Sequence, residues 1–121
     1  MEAIVTTHEP SDAAVEAPFH GVSARSALQL AHARGVILAV LGSAGVPVHE
    51  YSPATIKKAV TGSGRAEKDQ VKSMVRHFVP DVGNQASADA ADAIATALCH
   101  LFGQATTEAL ARAGVVQRRS R

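Results

Sequence analysis

Two short apolar segments, one on each side of a long helical segment, constrain the fold of this chain most strongly. Ala13–Ala17 and Val46–Tyr51 have the length and composition of strands, and each is followed within two residues by a proline. Between them, Ala24–Leu41 carries small and apolar residues at helical spacing and ends at Gly42 or Gly45. Strands that alternate with helices favour an α/β layer with parallel strand pairing. The sequence therefore predicts an α/β fold, although two strands are few for a sheet.

Further helices are predicted on both sides of this unit. The helix over residues 66–79 has an apolar face at i, i+3, i+4 and i+7 spacing, a pattern that predicts burial of Val71, Met74, Val75 and Phe78. The remaining helical ranges are residues 1–8, 54–60, 87–101 and 105–113, with a connector over 80–86 and a basic tail after 113. Because the chain starts within a helix that has no capped beginning, we expect a domain whose front is missing.

Composition limits the chain to one modest domain. A sequence of 121 residues with no Trp, one Tyr and three Phe must build its core from Ala, Val, Leu and Ile. Cys99 is the only cysteine, which excludes an internal disulfide and favours a reducing compartment. The start has no signal-peptide pattern, and no apolar run reaches the roughly 20 residues that span a bilayer. We expect a cytoplasmic protein with no membrane contact.

Two carboxylates lie close together at the start of an apolar helix. Asp89 and Asp92 are three residues apart, so they share one helical face, while Ala91, Ile94, Ala95, Leu98 and Leu101 pack the same helix on a core. Acids on a core-packed helix need compensation, and a divalent cation would supply it. The alternative is that these acids favour the helix dipole and lie in water.

Basic residues are concentrated in the middle of the chain, although the net charge is only +1. Such a cluster suits a phosphate backbone, but a solvated helix face has the same composition. The basic residues between positions 57 and 76 are Lys57, Lys58, Arg65, Lys68, Lys72 and Arg76, and Arg118, Arg119 and Arg121 follow at the end of the chain.

A third carboxylate, Glu16, lies at the end of the first predicted strand. In an α/β layer the end of a strand and the start of a later helix can meet at one sheet edge, which would bring Glu16 to Asp89 and Asp92. Three carboxylates offer hard oxygen ligands for Mg²⁺ or Mn²⁺. Two such ions about 4 Å apart activate water and stabilise the leaving oxygen in phosphodiester hydrolysis.

Four sequence blocks occur in a characteristic order. They are Val15–Phe19, Ser26–Val36, Glu50–Lys68 and Ala88–Ala93. Together they resemble the RuvC family of Holliday junction resolvases, and the resemblance covers residues 3 to 101. It implies an RNase H-like fold, a homodimer, and paired Mg²⁺-dependent nicks across a four-way DNA junction in homologous recombination and DNA repair. A branch-migration complex is a candidate partner.

The resemblance also implies roles for individual residues. Glu16, Asp89 and Asp92 match three of the four catalytic, metal-binding carboxylates of the family, and Lys57 and Lys68 match residues of DNA binding and catalysis. The candidate DNA-binding residues are Phe19, Arg25, Lys57, Lys58, Arg65, Lys68 and Lys72. A lone aromatic after a strand, such as Phe19, is otherwise a core residue. The implied domains are a partial nuclease domain over residues 1–103 and a helical segment with a basic tail over 104–121.

One family motif is absent from these 121 residues. The family opens with a strand that carries Asp-Pro-Gly, whose aspartate is the fourth metal ligand, and this sequence contains no Asp-Pro-Gly. We therefore expect an N-terminally truncated RNase H-like domain. The alternative to a junction endonuclease is a catalytically inactive fragment that dimerises or binds DNA without cleaving it.

Overall fold

The structure, a computed structural model, describes residues 1–17 and 23–114. The chain forms two compact units, Met1–Pro53 and the residues from Ala54 onward. The predicted contact of Phe19 and the predicted basic tail lie outside the described residues.

The first unit contains the predicted pair of parallel strands. Its elements are α1 (Glu2–His8), β1 (Ala13–Glu16), α2 (Ala24–Ser43) and β2 (Val48–Tyr51). The two strands pair in parallel, with the first residue of β1 opposite the first of β2 and the last opposite the last. The prediction of two parallel strands joined by a helix is confirmed, and each strand is slightly shorter than its apolar segment.

A left-handed turn joins α2 to β2. Gly45 has a φ of 71°, a conformation that glycine adopts without a steric penalty, and the Val46 N–H donates to the Leu41 carbonyl at 2.9 Å. The turn places Val46 beside Leu41 and Val5, which form the buried core of this unit. Four partly buried residues pack against that core: Ala13, Ile37, Val40 and Val48. The predicted end of the helix near Gly42 or Gly45 is confirmed.

Most of α2 is exposed. Leu41 is the only buried residue of this helix, Leu28 is 59% exposed and Val36 is 63% exposed. A Cβ atom added at Gly35 or Gly42 would meet no heavy atom of the described residues within 4 Å. Ala27, Ala31, Gly35 and Gly42 follow one side of the helix, which we call its small-residue side. All four are exposed, so this side is open in the part of the chain that the structure describes.

By length and composition alone, α2 is the one described helix that could cross a membrane, with a mean hydropathy of 1.2. Arg25 and Arg34 interrupt its apolar composition, so the sequence still contains no apolar run of roughly 20 residues. Arg34 lies near the middle of the helix and pairs with Glu50 of β2. An unpaired charge near the bilayer centre is costly. In this structure the Arg34 charge is paired with a residue of the strand pair.

The second unit is helical. It contains α3 (Pro53–Thr61), whose first residue is the last of the first unit, α4 (Lys68–Phe78), α5 (Pro80–Gly83) and α6 (Ala88–Arg112). Helix α4 packs against both α5 and α6. The start of α4 is a capping box, in which Glu67 and Gln70 each bind the other's backbone N–H. This box starts the helix at Lys68, two residues later than predicted.

Two predicted boundaries in this unit are wrong. The connector over 80–86 contains the one-turn helix α5, because Pro80 stands at a first helical position, where its missing N–H costs nothing. The predicted helices over 87–101 and 105–113 are one helix, because α6 runs through Gly103 to Arg112. A single interior glycine costs only about 1 kcal/mol in a helix, too little to end one.

Close approach of α5 to α4 explains why residue 83 is a glycine. Gly83 is buried, and a Cβ atom there would lie 2.9 Å from the Arg76 Cα and 3.0 Å from the Val75 carbonyl oxygen. Val75 is fully buried at this contact, and Val71 is buried one turn earlier, as predicted. The sequence predicts burial of Phe78, but this residue is 42% exposed, because it lies in the last turn of α4. Its ring meets those of His77 and Phe102 edge-on, with ring centroids 5.3 and 5.1 Å apart.

The core side of α6 is made of small side chains. Ala91, Ala95 and Cys99 are buried at successive four-residue steps, whereas Leu101 is 55% exposed, contrary to the prediction. Burial raises the pKa of the Cys99 thiol, so this side chain behaves as a small apolar residue. His100, the next residue along α6, is also buried.

Candidate active site

The start of α6 presents Asp89 and Asp92 on one exposed face. The Ser87 hydroxyl accepts a hydrogen bond from the Ala90 N–H at 3.2 Å and caps the helix, so neither aspartate is needed as the cap. None of the described residues forms an ion pair with either carboxylate. Both aspartates are exposed, so the expectation of a burial cost that a cation must offset is wrong. What remains is a pair of exposed carboxylates, without an ion-pair partner among the described residues, at the capped start of a helix.

Glu16 is the last residue of β1 and is exposed. Ala13 of the same strand packs on the core beneath α2, and successive side chains of a strand alternate between the two faces. Glu16 is three residues from Ala13, so its side chain lies on the face opposite α2. No described residue forms an ion pair with its carboxylate. Glu16 belongs to the first unit and the two aspartates to the second, so their meeting at one site stays a prediction.

These carboxylates fit a hard divalent cation by their chemistry. Mg²⁺ and Mn²⁺ prefer oxygen ligands, and all three side chains offer carboxylate oxygens that the described residues leave unpaired. The chain contains no fourth carboxylate in an Asp-Pro-Gly motif. By side-chain chemistry alone, each of the three carboxylates therefore suits a hard divalent cation.

The candidate lysines lie on different helices of the second unit. Lys57 is half-buried on α3, where the Thr61 hydroxyl donates to its carbonyl at 2.7 Å. Lys68 is the first residue of α4 and is exposed. Of the other candidate DNA contacts, Lys58, Arg65 and Arg25 are exposed and Lys72 is half-buried.

A row of three basic residues follows one face of α4. Lys68, Lys72 and Arg76 are four residues apart, and neighbours at this spacing lie about 6 Å apart on a helix surface. No carboxylate among the described residues forms an ion pair with any of them. We call these three residues the α4 basic row. The sequence prediction of DNA contacts does not include Arg76. Its four-residue spacing from Lys72 could have shown that it shares a helical face with the candidate lysines.

Comparison with known proteins identifies the family. Residues 1–100 match the family described as "Crossover junction endodeoxyribonuclease RuvC". The chain belongs to the RuvC family. It is 44% identical over 111 residues to the RuvC crossover junction endodeoxyribonuclease of Paramagnetospirillum magneticum, covering 92% of this chain and 66% of the relative. It is 47% identical over 116 residues to that of Myxococcus xanthus, covering 94% and 61%.

Solved RuvC structures share the fold. One structure of Thermus thermophilus RuvC has a TM-score of 0.73 and 33% identity, covering 94% of this chain and 64% of the other. T. thermophilus RuvC in complex with a Holliday junction substrate has a TM-score of 0.77 and 32% identity, covering 94% and 65%. The RNase H-like α/β fold is confirmed. The chain spans about three fifths to two thirds of the length of these relatives.

Proposed function

We propose that this chain carries three of the metal-binding carboxylates of a structure-selective endonuclease that resolves Holliday junctions by phosphodiester hydrolysis. The observation that supports it best is the pair Asp89 and Asp92, exposed on the capped start of α6 in a chain that matches RuvC over residues 1–100. Further support comes from T. thermophilus RuvC, a similar protein whose structure has been solved in complex with a Holliday junction substrate.

In this proposal the carboxylates of Glu16, Asp89 and Asp92 hold Mg²⁺, or Mn²⁺ in its place. When bound, the metal supplies an activated water and stabilises the leaving oxygen. Lys57 and Lys68 bind the phosphate and offset the negative charge that grows on it during cleavage. Selectivity comes from the shape of the junction, because contacts to phosphates carry little sequence information.

The proposed assembly is a homodimer acting in the cytoplasm on four-way junctions, with a branch-migration complex as a further partner. Support for self-association comes from the open small-residue side of α2, since Gly35 and Gly42 leave room for the close approach of another helix. Leu28 and Val36 add exposed apolar area to the same helix. Phe19 stays a proposed junction contact.

A second candidate function is junction binding without cleavage. It is favoured by the absence of Asp-Pro-Gly from the 121 residues, because that motif supplies the fourth ligand in the resemblance. The basic residues of this chain would still bind the phosphate backbone without that motif.

The experiment that separates the two functions uses a synthetic four-way junction with Mg²⁺. We expect the chain to bind the junction more tightly than a linear duplex of the same sequence. Nicking by the chain alone supports the endonuclease. Binding without nicking, converted to nicking when an Asp-Pro-Gly strand from a RuvC relative precedes the chain, supports the second function. A chain that shows no preference for the junction contradicts both.

The α4 basic row gives a prediction on salt dependence. Each phosphate contact contributes a slope of about −0.9 to the plot of log binding constant against log salt concentration. We expect Lys68→Ala, Lys72→Ala and Arg76→Ala each to reduce the slope by about 1, as loss of one phosphate contact would. Fluorescence anisotropy of a labelled junction over a range of salt concentrations measures this slope.

Arg112→Ala is the matched control. Arg112 is an exposed arginine in the last turn of α6, where it lies 3.7 Å from the Glu108 carboxylate, and it lies outside the α4 basic row. Its replacement should leave the salt slope unchanged. Equal slopes for Arg112→Ala and the three row variants would contradict the assignment of the row to DNA.

A further inference from the structure

Arg34 of α2 contacts both strands of the first unit at once. One guanidinium nitrogen donates to the Glu16 carbonyl oxygen at 2.9 Å, across 18 positions of sequence. A second guanidinium nitrogen pairs with the Glu50 carboxylate. The Arg34 side chain is 23% exposed, whereas the Glu50 side chain is 54% exposed.

The contact holds the end of β1 from the side opposite to the Glu16 carboxylate. Glu50 stands opposite Val15 in the parallel register, so the Glu50 side chain lies on the α2 face of the strand pair together with Ala13. Arg34 reaches the strands from this face. It therefore binds the Glu16 backbone and leaves the Glu16 carboxylate unpaired on the other face.

Strand register decides the direction in which Glu16 points. A slip of one residue moves every side chain of a strand to the other face. With only two described strands, the end of β1 is fixed by few contacts, of which one is the hydrogen bond from the Ala17 N–H to the Tyr51 carbonyl at 2.8 Å. The Arg34 contact to Glu16 stabilises the same end from the helix side.

We propose that Arg34 is a positioning residue for the candidate metal ligand Glu16. Its guanidinium fixes the backbone of Glu16 from the α2 face, where it also pairs with Glu50, and the Glu16 carboxylate lies on the opposite face of the strand pair. This inference rests on the proposed function, because it takes Glu16 to be a metal ligand. A planar fork that donates to two acceptors is specific to arginine, and lysine offers one flexible point charge.

The test compares Arg34→Ala, Arg34→Lys and Glu50→Ala with the full chain. We expect Arg34→Ala to weaken Mn²⁺ binding about 10- to 100-fold, the loss typical of residues that orient metal ligands. Arg34→Lys should restore little of this loss, and Glu50→Ala should cost less, because it keeps the contact to Glu16. Mn²⁺ binding is followed by the electron paramagnetic resonance signal of the free ion.

Two further measurements separate positioning from a general structural role. Hydrogen exchange at the Ala17 amide should accelerate in Arg34→Ala, since this amide reports on the end of β1. Nicking is measured with the chain alone or, if that is inactive, with the chain preceded by the Asp-Pro-Gly strand. In Arg34→Ala the Mg²⁺ concentration for half-maximal nicking should rise by the same factor as the Mn²⁺ dissociation constant. A merely structural arginine would lower the amount of folded protein without changing metal affinity. Arg112→Ala is the control that should match the wild type throughout.

The outcomes distinguish this inference from the proposed function. If the wild-type chain binds Mn²⁺ and Arg34→Ala binds it equally well, the inference is overturned and the proposed function stands, even if Ala17 exchange changes. If the wild-type chain binds no Mn²⁺ and shows no preference for the junction, the proposed function fails and the inference fails with it.

Discussion

Asp89→Asn is expected to lower the rate of Mg²⁺-dependent junction nicking by about 10³-fold or more, the equivalent of several kcal/mol of metal-derived stabilisation. The substitution keeps the size of the side chain and one of its two oxygens, but it removes the negative charge that attracts the cation. Because Asp89 is exposed and Ser87 caps the helix, the fold of α6 should be retained. The assay uses the chain alone if it nicks the four-way junction, and otherwise the chain preceded by the Asp-Pro-Gly strand of a RuvC relative. Single-turnover rates are measured at saturating protein.

Junction binding should survive the same substitution. Removal of one negative charge near a phosphate backbone reduces repulsion, so the affinity of Asp89→Asn for the junction should equal or exceed that of the wild type. Asp81→Asn is the matched control, because Asp81 is an exposed acid in the first turn of α5 and is not a candidate ligand. A full nicking rate in Asp89→Asn, or an equal loss in Asp81→Asn, would refute the role of Asp89 as a metal ligand.

Gly83→Ala is expected to lower the free energy of unfolding by about 2 kcal/mol, within the range for overpacked cores. The added Cβ atom would lie 2.9 Å from the Arg76 Cα, and backbone atoms cannot move aside as a flexible side chain would. Relief requires α5 to shift away from α4, which exposes the fully buried Val75. Urea denaturation followed by circular dichroism measures the change.

Gly103→Ala is the matched control of opposite sign. Gly103 lies within α6, and an added Cβ atom there meets no described heavy atom within 4 Å. Alanine in an open helix position is favoured over glycine by about 1 kcal/mol, so this variant should be more stable than the wild type. Equal stability of the two variants would show that Gly83 makes no close approach to α4.

Much of the fold could be predicted because its signals are local. The pair of parallel strands around a helix followed from two apolar segments and one helical period, and the structure confirms it. Ser23 stands directly before the predicted helix over Ala24–Leu41, and its hydroxyl caps that helix by accepting a hydrogen bond from the Ser26 N–H. The shared face of Asp89 and Asp92 followed from their three-residue spacing, since helix geometry alone fixes it.

The incorrect predictions concern burial and helix boundaries, which depend on neighbours distant in sequence. Phe78 and Leu101 fit an apolar helical face, yet the described chain places too little material over them to bury them. The predicted helix ends near Gly103 because glycine often follows a helix end, but α6 continues to Arg112, and the left-handed Gly114 follows its end. The expected burial cost at Asp89 was wrong for the same reason, because helical periodicity does not say how deeply a face is covered.

The sequence by itself determined the α/β class, the family, and the identities of the carboxylates and bases offered for the chemistry. These properties reside in residue types and in spacings of a few positions. The tertiary structure decided that Gly83 fits against the backbone of α4 and that Arg34 ties the end of β1 to Glu50. Such contacts join residues distant in the chain, and only the packing of whole elements determines which of them meet.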